Sequence, residues 1–105
     1  SQGMGFHSAI AVSKGAIEGL MKSLAAEWAP FVRVNCIAPS LTDTPLAQDL
    51  LNTELKREGA NNRHPLKRIG TPVDIAQGVK FLIDNSWVTG QIIHIDGGLS
   101  SIKML

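Results

Sequence analysis

Few residues in this chain carry chemistry of their own. Cys36 is the lone cysteine, and His7, His64 and His94 are scattered, so neither an internal disulfide nor a zinc cluster can be assembled from them. Cys36 stands in the apolar run Val34-Asn35-Cys36-Ile37-Ala38 and reads as a buried, inert thiol. His7, Ile10 and Lys14 follow one another at spacings of three and four, which on a helix puts them on one face. An imidazole is a competent acid near pH 7. Lys14 also lies at the edge of an apolar stripe, where its stem can cover apolar surface. Ser8 reads as a helix cap, because no base is paired with it. Pro39 to Thr44 follows the end of an apolar run, and α/β sheets bind ligands at such strand ends. Thr44 before Pro45 also has the form of a helix N-cap. His94 reads as a strand residue whose hydrogen bonds are met, not as a ligand.

These residues need elements to position them. From about Ser8 to Trp28, Ile10, Ile17, Leu20, Met21, Leu24 and Trp28 recur at three and four, which predicts an amphipathic helix that Pro30 ends. Val32 to Ala38, bounded by prolines, predicts a buried strand. Thr44-Pro45 predicts a polar helix to about Glu58, broken by Gly59-Ala60-Asn61-Asn62. Thr71-Pro72-Val73-Asp74 is a strong helix start, with Ile75, Ala76, Val79, Leu82 and Ile83 as the buried stripe. Gln91 to Ile95 predicts a last strand, stopped by Asp96-Gly97-Gly98. The expected order is helix, strand, helix, helix, strand, an α/β chain in which the two strands pair in parallel across a helical crossover.

Several stretches together resemble the short-chain dehydrogenase/reductase family. They are Val32-Arg33-Val34-Asn35-Cys36-Ile37-Ala38-Pro39 with Thr44, His64-Pro65-Leu66, Arg68-Ile69-Gly70-Thr71-Pro72-Val73-Asp74-Ile75-Ala76, and Trp87-Val88-Thr89-Gly90-Gln91 with Asp96-Gly97-Gly98. Ser13-Lys14-Gly15-Ala16-Ile17-Glu18-Gly19-Leu20 resembles the family's active-site helix. The resemblance implies the C-terminal half of a doubly wound, Rossmann-like sheet, with residues 1–105 as a single partial domain. It implies NAD or NADP as cofactor and hydride transfer between nicotinamide and a carbonyl or alcohol. Lys14 would then hold the ribose. Pro39 and Thr42 would present backbone to the nicotinamide amide, and Thr44 would contact amide or phosphate. Ser40 departs from the glycine the family often has there. The family's catalytic Tyr falls on Ile10, and the chain has no Tyr. Ile10 cannot donate a proton, so His7 becomes the candidate surrogate acid, and Ser1 falls near the family's catalytic Ser. The Gly-rich phosphate turn of such folds finds no match here. The expectation is therefore an oxidoreductase impaired as the chain stands, with no cofactor bound by this chain alone as one outcome. The rival expectation is a non-catalytic, self-associating module.

Composition limits the alternatives. The chain has 105 residues, a net charge of +1 and 44% hydrophobic residues, which suits one domain and excludes intrinsic disorder. The near-neutral charge excludes nucleic acid or an anionic membrane as the main partner. Lys56, Arg57, Arg63, Lys67 and Arg68 have no aromatic residues between them, so they read as a solvated helix and not as a nucleic-acid surface. No apolar stretch is long enough to span a membrane, and no signal peptide is visible, which points to the cytoplasm. The start at Ser1-Gln2-Gly3-Met4-Gly5 reads as the middle of something longer. A small-molecule substrate and a homo-oligomer, or a missing N-terminal half, are the partners expected. Ile10, Ile17, Leu20 and Leu24 are the apolar residues that such a partner would cover.

Overall fold

The computed structural model describes residues 7–12, as backbone, and residues 17–103. Its elements are β1 (His7–Val12), α1 (Ile17–Trp28), β2 (Val32–Pro39), a 3-10 turn (Pro45–Leu50), α2 (Glu54–Arg63), α3 (Pro72–Asp84) and β3 (Ile92–Ile95). The sheet order is β1-β2-β3. β1 pairs in parallel with β2, from His7 opposite Val32 to Val12 opposite Ile37. β3 also runs parallel to β2. The Gly90 amide donates to the Val34 carbonyl, the Cys36 amide to Gln91, and the Ser40 amide to Ile95, so the partners advance together. The expected parallel pairing of the two later strands, with α3 between them, is therefore present.

The described residues fall into two compact units: one runs to Ala38 and includes Gln77–Ile93, and the other holds Pro39–Ala76 and the residues from His94 on. In the first unit, Met21 and Ala25 of α1 pack with Val34 and Cys36 of β2, and Leu24, Val32 and Ile92 close around them. Arg33 donates to the carbonyls of Leu82, Ile83, Asn85 and Val88, which satisfies the end of α3. Asn35 is fully buried; its amide donates to the Val88 carbonyl and its oxygen accepts from the Gln91 amide. In the second unit, Leu51, Ala60 and Ile69 form the core, with Leu41 and Ala47 against them.

Four expectations need correction. Of the helix expected from Ser8 to Trp28, the described part is α1 (Ile17–Trp28), and β1 occupies His7–Val12. The β-branched Ile10 and Val12 suit a strand, and pairing with β2 supplies backbone hydrogen bonds that the three-and-four spacing did not reveal. The helix expected from Thr44 to Glu58 is two elements. The Thr53 hydroxyl accepts from the Lys56 amide and starts α2 anew. Gly59 to Asn62 does not break α2, because Ala60 is buried in the core and the Asn61 side chain accepts from the Ile69 amide. Glycine in a helix costs only about 0.5–1 kcal/mol, which packing of that kind outweighs. The α3 stripe is narrower than expected: Leu82 is buried while Ile83 is 56% exposed. No described helix is long and apolar enough to cross a membrane.

Candidate functional site

The second unit gathers the loop after β2, the end of α2 and the turn after β3 around a cleft of about 390 Å³. The loop is held at both sides. The Gly70 amide donates to the Leu41 carbonyl and the Asp43 amide to the Gly70 carbonyl, which makes a short parallel bridge between Thr42 and Gly70. A side chain at position 70 would come within 3.3 Å of the Thr42 hydroxyl, so glycine permits this close approach. The Arg57 guanidinium grips the Asp43 carboxylate with two bonds of 3.1 and 3.3 Å, and Gln48 donates to the same carboxylate. These donors, Arg57 first, hold the Asp43 carboxyl below the usual carboxylate range.

Ser40 and His64 are in direct contact on the cleft. His64 is 1% exposed. Its Nδ1 lies 2.7 Å from the Ala60 carbonyl, which can only accept, so Nδ1 carries the proton. The Nε2 is then an acceptor, and the Ser40 hydroxyl donates to it at 2.8 Å. The Ser40 carbonyl in turn accepts from the Thr42 hydroxyl at 3.0 Å. At the end of β3, Asp96 accepts from the amides of Gly98 and Ser100. Burial alone would raise the Asp96 pKa, yet the bonds from Ser100 and Gly98 outweigh it and hold the carboxyl low. Gly97 and Gly98 both have positive φ, which shapes the turn beside His64. Across the same unit, Arg68 pairs with Asp74, which also accepts from the Thr71 amide and hydroxyl. The Arg68 guanidinium and then the Thr71 amide pull the Asp74 pKa far below its ordinary value.

The sequence-based candidates divide clearly. Pro39 ends β2, and Pro39, Thr42 and Thr44 are all half-buried. The Thr42 hydroxyl is engaged by Ser40. Thr44 occupies the cap position of the 3-10 turn but its side chain makes no cap hydrogen bond, so the cap role expected for it is not filled. His7 begins β1, and Ile10 lies opposite Asn35 in register. The shared helical face proposed for His7, Ile10 and Lys14 therefore does not exist along residues 7–12. Lys14 and Ser1 lie outside the described residues. His94 lies in β3 as expected, exposed, and lines the cleft. Cys36 is fully buried, and burial followed by the nearby Glu18 charge raises its thiol pKa, as expected of an inert cysteine. Sequence reasoning missed His64, Asp43 and Asp96 as site residues. The only signals were His64 before Pro65 and Ser40 in place of glycine. No group of three or more candidate metal ligands occurs among the described residues.

Parallel strands joined by helices, with a polar loop at the end of β2, define a Rossmann-like α/β chain. Residues 1–100 match the enoyl-(acyl carrier protein) reductase family model. The chain belongs to this family, within the short-chain dehydrogenases/reductases. It is 45% identical over 92 residues to 3-oxoacyl-[acyl-carrier-protein] reductase FabG of Thermotoga maritima, covering 85% of this chain and 37% of the relative. It is 42% identical over 92 residues to tropinone reductase-like 3 of Erythroxylum coca, covering 86% of this chain and 36% of the relative. Gluconate 5-dehydrogenase from Burkholderia cenocepacia, solved in complex with NADP and tartrate, superposes with a TM-score of 0.81 at 26% identity, covering 93% of this chain and 47% of that one. The chain thus spans a little over a third of the length of these curated relatives.

Proposed function

We propose that this chain forms the nicotinamide-side part of an NAD(P)-dependent oxidoreductase acting on a carbonyl or alcohol, within a larger Rossmann-type fold. Thr44 is the observation that carries this reading. Its hydroxyl is half-buried at a strand's C-terminal end and is not taken up by capping, so it is available as both donor and acceptor to a carboxamide or phosphate. One uncapped hydroxyl of this kind supports a contact to the nicotinamide end of the dinucleotide. Bound NAD(P) supplies the hydride. Lys14 would hold the ribose hydroxyls, Pro39 and the Thr42 backbone would meet the amide, and the Asp43–Arg57 pair keeps the loop in place. Ile10 stands where the family has its proton donor, and it leaves the developing alkoxide unprotonated. General acid catalysis is worth about 10²–10⁴-fold, so turnover is slow by that factor unless another group, His7 among them, delivers the proton.

The test is titration of the chain with NADPH, followed by cofactor fluorescence, against Thr44→Val. Loss of one hydrogen bond of about 0.5–1.5 kcal/mol weakens binding roughly 2- to 12-fold. Unchanged affinity in the variant removes Thr44 from the site. The second reading is a self-associating module. That reading has its own support: Leu46 and Trp87 are each 95% exposed, and Leu20 and Phe31 are more than half exposed. Sedimentation velocity decides it, since a monodisperse 11.2 kDa species excludes self-association.

A further inference from the structure

The cleft of the second unit holds a nucleophile and a base already in contact. Ser40 is half-buried, lines the cleft, and donates its hydroxyl proton toward His64 Nε2 at 2.8 Å. The base is oriented by a third group, because the Ala60 carbonyl fixes the proton on Nδ1 and leaves the Nε2 lone pair facing Ser40. A nucleophile touching a base that a third group orients is the arrangement that activates serine. His64 has no carboxylate partner among its described hydrogen bonds, and it is almost wholly shielded from water. The cleft wall mixes apolar Leu41, Leu66 and Ile95 with the charged Arg68, Asp74 and Asp96.

We propose that Ser40 and His64 form an acyl-transfer couple that accepts small activated acyl esters, on the same loop that carries Pro39, Thr42 and Thr44. The Ser40 oxygen adds to the ester carbonyl carbon while its proton passes to His64 Nε2. The bond to the leaving oxygen then breaks, and that oxygen departs with the proton that His64 held. The products are acyl-Ser40 and one alcohol. Water, deprotonated by the same nitrogen, later cleaves the acyl group as a carboxylic acid. Among the described hydrogen bonds, the imidazolium formed on the way has a neutral carbonyl and no carboxylate as partner. In a Ser-His-Asp triad, loss of the correctly oriented carboxylate lowers turnover by about 10⁴-fold, so the couple acylates slowly and deacylates more slowly still. The signature is stoichiometric labelling, not rapid turnover.

The experiment treats the purified chain with p-nitrophenyl acetate and reads both the p-nitrophenol burst and the acetylated peptide by mass spectrometry. The expected result is a burst approaching one equivalent with acetyl on Ser40. Ser40→Ala and Ser40→Gly both lose it, and Ser101→Ala, on the same cleft, keeps it. His64→Gln slows the burst at least 10-fold. Should that buried substitution unfold the chain, as circular dichroism would reveal, the two Ser40 variants still decide the matter, because position 40 is only half-buried. Acetyl found on lysines or on Ser101 but not on Ser40, or a burst that survives Ser40→Gly, overturns the proposal.

Discussion

Removing the Arg33 guanidinium is the most informative perturbation of the first unit. Its Nη1 donates to the carbonyls of Leu82, Asn85 and Val88 at 2.8, 2.8 and 3.1 Å, and its Nη2 to Ile83 at 3.1 Å. Three of the four bonds are partly buried. Each hydrogen bond to a charged group contributes about 1.5–3 kcal/mol, but four bonds from one side chain are not additive, and water replaces the exposed one. The favourable position at a helix C-terminus adds about 0.3–1 kcal/mol. Arg33→Ala therefore costs about 2–4 kcal/mol, a large share of the roughly 5–15 kcal/mol that holds a domain folded. With a urea slope of about 1.5 kcal/mol/M the unfolding midpoint falls by roughly 1.3–2.7 M. Arg33→Lys keeps the charge but presents a compact ammonium in place of a planar fork, and it recovers less than half of the loss. Urea titration followed by circular dichroism checks both variants. A cost below about 0.5 kcal/mol for Arg33→Ala would mean that water satisfies the end of α3 as well as Arg33 does, and the reasoning would fail.

Two further outcomes follow from the second unit and one helix. Asp74 has a folded pKa depressed by Arg68 and the Thr71 amide, so its stabilisation is present above the unfolded carboxylate pKa of about 3.9 and is lost as pH falls toward the lower folded value. Asp74→Asn should flatten the acid-side fall in thermal midpoint below about pH 4, and an unchanged acid limb would refute the linkage. Glycine substitutions should have opposite signs at two positions. Gly98 has φ +91, and an added Cβ would lie 2.9 Å from Ile102 Cδ1, so Gly98→Ala should cost about 1–3 kcal/mol. Gly59 lies in α2 with nothing within 4 Å of an added Cβ, so Gly59→Ala should gain about 0.5–1 kcal/mol in the same urea assay.

The sequence by itself determined the elements whose signals are local. Pro30 and Pro39 bounded β2, the apolar run of β2 matched its burial, and Thr71-Pro72-Val73-Asp74 set the start of α3 through a reciprocal cap that four residues can make alone. The parallel relation of β2 and β3 was legible because a helix between two strands leaves few other topologies. The motif loop from Pro39 to Thr44 was legible by resemblance. Tertiary structure alone decided the rest. His7–Val12 became a strand because β2 offers it partners more than twenty residues away, which no local periodicity records. α2 ran through Gly59 because Ala60 and His64 are buried, a context invisible to propensity. The pairing of Ser40 with His64 joins residues 24 apart whose types singly suggested nothing. Whether the Thr44 hydroxyl caps its turn depended on the loop's final geometry, which Asp43, Arg57 and Gly70 set together. Local chemistry is written in short spacings; long-range hydrogen bonds are written only in the folded chain.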